Sequence, residues 1–184
     1  MDVESIRQMS RRLTPNEVCA ELLALSVVEY SYSPAAIITV ELRAARGRIT
    51  DTGRGMRLKP DQGFELSHAE RALTSFYPCL PSRPEVESVL REHIWHEHGS
   101  VGPALANFAC ASFQFISMRE GQAWQQNYRY GTPVAPPKRL GRADTTGTTI
   151  DFETTAPIDY DVVAELVDVL TARIPGLHIA LRPG

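Results

Sequence analysis

The chain has 184 residues, 43% of them hydrophobic and 22% charged, and a formal net charge of −3. That is enough chain for one domain with a real core, and the balance excludes long disorder and fibrous repeats. A slightly acidic chain lacks the basic footprint of an autonomous nucleic-acid binder. Three widely spaced cysteines, Cys19, Cys79 and Cys110, with no leader pattern and no long apolar run, predict a soluble protein of the reducing cytoplasm.

Taken in chain order, residues 3–12 suit a short helix, and Arg7, Arg11 and Arg12 read as its solvated face. Thr14-Pro15-Asn16-Glu17 then gives a capping threonine, a proline at the first helical position and a glutamate three residues after the cap. Val18, Leu22 and Leu25 recur at helical spacing, which predicts a second helix with one buried face, running to about Tyr32 and stopping near Pro34. Residues 36–42 and 46–50 read as an antiparallel pair of strands. Between 57 and 97 the pattern weakens: residues 67–77 suit a helix that Pro78 breaks, and 85–93 suit another.

Residues 104–111 predict a small-residue helix, and 113–118 with 123–130 a hairpin of strands. The proline-rich stretch 131–138 reads as a surface connection. Residues 148–153 read as a strand, 161–174 as an amphipathic helix and 177–181 as a last strand. The clean alternation in the strands calls for cover on one sheet face. The fold class is therefore α+β, a two-layer sandwich of a mixed, mostly antiparallel sheet with helices on one face.

Asp51-Thr52-Gly53-Arg54-Gly55-Met56 follows the first hairpin and packs a carboxylate, two glycines and an arginine together. The glycines permit a tight turn, and a carboxylate at its mouth can accept a hydrogen bond from a flat, amino-bearing ring. His93, His96 and His98 with Glu92 and Glu97 gather groups that could ligate zinc, but the spacing fits no zinc pattern, and no metal site is assigned there.

Four features stand in order: a helix carrying Glu21 and Glu29, the turn at 51–56, His98-Gly99-Ser100-Val101-Gly102, and Thr146-Gly147-Thr148-Thr149-Ile150-Asp151-Phe152. This ordered set resembles the ATP-binding domain of DNA gyrase B proteins and, more broadly, the GHKL group of nucleotide-binding domains. Ala104-Leu105-Ala106-Asn107-Phe108 and Met118-Arg119-Glu120-Gly121 extend the likeness. It runs from about residue 3 to 181, so it implies one domain over 1–184 with the Bergerat fold and an ATP lid over 57–102.

The resemblance also implies roles. Asp51 would accept the adenine amino group. Gly53 belongs to the same turn, Gly55 would line the base pocket, Met56 would cover the base, and Thr148 would hydrogen-bond beside it. Arg54 would border the pocket, paired with Glu29, and Arg119 would stand at the rim where aminocoumarin inhibitors of gyrase sit. Gly102 would belong to the phosphate loop at a helix N-terminus, which favours anions. Glu21 would be the general base on the attacking water.

The chain departs from the family at the other half of that site. Leu25 stands where the family has the asparagine that holds magnesium. Leucine offers no lone pair, so Mg2+ is not expected to be held. A one-residue slip would bring Ala24 or Ser26 there. Val28 replaces an acidic residue, Gly99 a histidine and Ser100 a glycine, and Pro103 removes an amide donor after Gly102. The usual glycine-rich lid segment is absent, and the chain ends where gyrase continues into its transducer domain, so no lysine to the γ-phosphate is expected from it. The expected ligand is ATP or ADP, with hydrolysis weak or absent. An ATPase of the topoisomerase class is the outcome if Glu21 acts as base. The alternatives are a stand-alone pocket that takes a gyrase inhibitor, and a regulatory module. No membrane contact is expected, and the sequence sets no oligomeric state.

Overall fold

The computed structural model describes residues 3–59, 63, 65–95 and 99–184. Helices α1 (Val3–Ser10) and α2 (Pro15–Tyr32) lead into strands β1 (Ile38–Arg43) and β2 (Arg46–Asp51). Helices α3 (His68–Thr74), α4 (Pro84–His93) and α5 (Gly102–Ala109) follow, with a single 3-10 turn at Gly99–Val101 just before α5. Strands β3 (Ser112–Arg119), β4 (Gln122–Arg129), β5 (Thr132–Pro133), β6 (Lys138–Arg142) and β7 (Gly147–Glu153), helix α6 (Tyr160–Arg173) and strand β8 (Ile179–Pro183) complete the chain.

The strands form one sheet in the order β5-β4-β3-β7-β2-β1-β8, with β6 also paired to β4. Its pairings are antiparallel except β1 with β8, where the chain returns through α6. This is the expected mixed, mostly antiparallel α+β sandwich. The proline-rich stretch is more than a connection. Thr132–Pro133 pairs with the end of β4, and Lys138–Arg142 pairs with its beginning. Prolines and charges at a sheet edge hide a strand from propensity reasoning, because edge strands tolerate both.

Helix α2 begins as its sequence predicts. The amide of Glu17 donates to Thr14 Oγ1, and the Thr14 amide donates to Glu17 Oε2, a complete capping box that contributes about 1 kcal/mol. Its burial differs from the expectation of one buried face. Val18, Cys19, Leu22, Leu23, Ala24, Leu25, Val27 and Val28 are all buried. The helix lies in the middle of the helical layer, between β1 and β2 on one side and α4, α5 and α6 around it. A helix apolar all round is a core helix, and Leu25 belongs to that core. Helix α3 starts at a second capping box on Ser67 and stops at Thr74, four residues before Pro78. Helix α5 starts two residues earlier than expected, because Pro103 fits its first turn.

Candidate functional site

Strands β2 and β7 pair in a register that sets Asp51 opposite Thr148. The Thr148 hydroxyl donates to Asp51 Oδ2, as does Ser26 Oγ of α2 at 3.1 Å, while the Gly53 amide donates to Oδ1 at 2.9 Å. Asp51 is only 3% exposed. Burial pushes its carboxyl above the ordinary range, opposed by the bonds from Thr148 and Gly53. A carboxylate offers about four acceptor positions. Three are filled, and the free one is on Oδ1.

The turn after Asp51 is fitted to its neighbours by glycines. Gly55 has φ +71°, and a Cβ there would meet the Met118 carbonyl at 2.4 Å. Gly147, at the start of β7, has φ +138°, and a Cβ would fall 2.0 Å from the Asp51 carbonyl. Ser117 Oγ donates to the Met56 carbonyl at 2.6 Å, and Arg119 Nη1 to the Gly55 carbonyl at 2.8 Å. Arg54 is held by Glu29 through three bonds, from its amide at 2.6 Å, its Nε at 2.8 Å and its Nη2 at 3.0 Å. Its guanidinium lies over the Tyr32 ring at 4.0 Å.

Beside this turn opens a cleft of about 340 Å³. Leu25, Val28, Glu29 and Tyr32 of α2 line it, with Arg54, Gly55, Met56, His68, Arg119 and the strap Tyr77-Pro78-Cys79-Leu80. The strap is fastened to α2. Tyr32 Oη donates to the Leu80 carbonyl at 2.9 Å, the Ser82 amide to Ser31 Oγ at 2.8 Å, and Ser82 Oγ to the Ser31 carbonyl at 2.6 Å. Asp51, Ser26 and Thr148 do not line the cleft; they are buried next to the turn that does. A larger cleft of about 450 Å³ lies between α1 and the end of α5, lined by Arg7, Arg11, Phe108 and Tyr130 among others. None of the site residues expected from the sequence borders it, and no buried carboxylate converges on it.

The other end of the predicted site is built differently. Glu21 is 2% exposed, its Oε2 has no hydrogen-bond partner, and burial, with Glu17 nearby, pushes its carboxyl up to about 8. It packs on the first residue of α5, so that a Cβ on Gly102 would fall 1.7 Å from Oε2. Ser100 is buried, and its carbonyl accepts from the Cys79 amide of the strap at 3.1 Å.

The chain aligns with the DNA gyrase B protein of Acinetobacter bereziniae at 33% identity over 91 residues, covering 46% of this chain and 42% of that protein. It aligns with the DNA gyrase B protein of Myxococcus xanthus at 26% over 152 residues, covering 73% of this chain and 17% of that protein. The chain is similar to DNA gyrase B. It spans between 17% and 42% of the length of these curated relatives. No protein-family model matches it.

The gyrase B-like site therefore divides in two. The structure brings Asp51, Gly53, Thr148, Arg54, Gly55, Met56, Glu29 and Arg119 together, and it brings Glu21 to Gly102 separately. Ser26, the alternative that a one-residue slip would set at the magnesium position, stands beside Asp51. Its hydroxyl is spent on Asp51, a membership that sequence reasoning misses. The available signal is a hydroxyl inside the apolar run Leu25-Ser26-Val27. The strap residue Leu80 carries no local signal, since the bond from Tyr32 places it, while Tyr77 is set by the Ser75 carbonyl and by its ring contacts with His68 and Arg71. Of the histidine cluster, His96, Glu97 and His98 lie outside the described residues, and His93 contacts Glu92. Among the described residues, no three His, Cys, Asp or Glu side chains form a group that could hold a metal, and no helix is long and apolar enough to cross a membrane.

Proposed function

We propose that this chain is an adenine-nucleotide-binding domain of the gyrase B type, taking ATP or ADP, with weak or absent hydrolysis. The observation that carries the reading is Asp51. It is a buried carboxylate with hydroxyl and amide donors on three acceptor positions and the fourth free for a ring amino group. Met56, partly buried between Asp51's turn and the cleft, is the flexible side chain that can move aside for a ring.

The residues fit the base and do not fit the metal. At the predicted magnesium position Leu25 is core, and Mg2+ needs oxygen ligands in near-ideal geometry. A general base must be able to take a proton at the working pH. Glu21, pushed up to about 8 and buried on Gly102, is held as the neutral acid. Calorimetric titration with ADP and ATP is expected to show one-to-one binding that Asp51→Ala abolishes; no heat with either nucleotide would remove the proposal. Substantial ATP turnover that Glu21→Gln abolishes would overturn its hydrolytic half.

One observation favours a second reading, capture of a gyrase inhibitor by a free-standing pocket. Arg119, which the resemblance sets at the rim where aminocoumarins sit, lines a single cleft with Arg54 and the expected base cover Met56. A thermal-shift titration with an aminocoumarin tests it, and no shift at saturating drug would end it. The role of lid for 57–102 and a site of action in the cytoplasm are part of the same proposal.

A further inference from the structure

The cleft offers little to a polyphosphate. Its two guanidiniums are both committed, Arg54 to the two oxygens of Glu29 and Arg119 to the Gly55 carbonyl and Glu120. Among the described residues, its lining includes no lysine. Away from the turn its walls are mostly apolar, Leu25, Val28, Pro78, Cys79 and Leu80, with His68 and Tyr77 beside them, and burial pushes the Cys79 thiol up to about 12, which keeps it neutral. A chain of phosphates laid along such walls would lose water without gaining a counter-charge, and unpaired charge is costly to desolvate.

The end of α5, where backbone amides could meet an anion, is filled from within. The Glu21 carboxyl packs against the Cα of Gly102, where a side chain would otherwise project. Pro103 brings no N–H, and the Cys79–Ser100 bond draws the strap against the same loop. The carboxyl fills the space a phosphate oxygen would take on that side of Gly102, and in its ionised form it would also repel the phosphate.

We propose that the cleft binds the ring and sugar of an adenine compound and leaves its phosphates unbound. Its ligand class is then the nucleoside, or a neutral amino-bearing heterocycle of like size. This rests on the adenine reading of Asp51 given above, and narrows it.

The experiment is calorimetric titration of the full chain with adenosine, ADP and ATP, each with and without magnesium. Adenosine is expected to bind as tightly as ATP, with a Kd ratio of about one. ATP tighter than adenosine by about tenfold or more would overturn the inference and leave the adenine reading standing. No binding of any of the three would overturn both. Leu80→Lys provides the second arm. Leu80 is exposed at the cleft wall, and only its backbone carbonyl is bonded, so the substitution adds one cation without burying it. ATP should gain over adenosine in this variant, more at low salt than at high salt. An unchanged ratio would show that phosphates do not pass the strap for a reason other than charge, and would overturn the electrostatic argument.

Discussion

Asp51 and Glu21 are both carboxyl groups sealed from solvent, at 3% and 2% exposure, and burial raises both, but they differ in their hydrogen-bond partners. Asp51 receives three donors from three separate elements, whereas Glu21 Oε2 receives none. A buried acceptor that is well supplied with donors is held in one orientation. A buried carboxyl oxygen without a donor disfavours the charged form instead. The two carboxyl environments thus follow different rules. The proposed base end is organised around a polar acceptor, and the α5 end packs a carboxyl, pushed up to about 8 by burial, against Gly102.

The largest expected effect tests how tightly the base end is built. Gly147→Ala places a Cβ against the Asp51 carbonyl at a backbone angle that L residues rarely adopt. Neither backbone can yield, so a loss of about 3–5 kcal/mol is expected in urea unfolding. A loss below about 1 kcal/mol would mean that the β2–β7 junction is loose. The next effect tests the α5 end. Glu21's folded pKa of about 8 lies above its ordinary value of 4.5. Below the ordinary value both states hold the proton. As pH rises toward 8 the unfolded chain has released it and the folded chain has not, so stability falls across that window and levels off above it. Glu21→Gln removes this slope and is expected to stabilise the chain at pH 8 by on the order of 3 kcal/mol. Asp51, also raised, keeps part of the slope in the variant. Equal pH profiles for parent and variant would show Glu21 ionised and solvated.

Asp51→Ala comes third. It strands the hydroxyls of Ser26 and Thr148 and the amide of Gly53 in a buried place, for an expected loss of about 2 kcal/mol in stability together with the loss of adenosine or ADP binding in calorimetry. Retained binding would move the ligand away from Asp51.

The division between the two ends explains what the sequence could and could not reveal. Asp51, Gly53 and Gly55 sit within five residues, and Thr148 faces Asp51 once the strands pair, so local pattern and register suffice for the base end. Glu29 and Arg54 are 25 residues apart, yet their pairing follows from the same resemblance and is present. The α5 end is legible as a departure, through Leu25, Ser100 and Pro103, but the cause of its closure is not. That cause is the contact of Glu21 with Gly102 and of Cys79 with Ser100, which only three-dimensional packing creates. Strand β6 escapes sequence reasoning because its residues, Lys138-Arg139-Leu140-Gly141-Arg142, belong to an exposed edge and show no alternation.

The smallest effect separates a pair that shapes the cleft from one that decorates the sheet. Arg54–Glu29 and Arg48–Asp151 both pair an arginine with a carboxylate, with shortest guanidinium contacts of 2.8 Å and 2.6 Å. Their surroundings differ. Glu29 has 12% of its side chain exposed and Asp151 has 31%, and Arg54 also lies on Tyr32 and fixes the turn through its own amide. Arg54→Ala keeps the amide bond to Glu29 and loses the two side-chain bonds and the ring contact. A loss of about 1 kcal/mol is expected after allowing for the exposed guanidinium, against about 0.5 kcal/mol or less for Arg48→Ala on the open sheet face. The Arg48 loss should fade in high salt, while the Arg54 loss should persist in part, because ring contact and packing are not screened. Adenosine affinity should fall in Arg54→Ala and stay unchanged in Arg48→Ala. If the two variants behave alike in salt and in binding, Arg54 is a solvated surface residue, and the base end of the cleft owes its shape to the glycines and Asp51 alone.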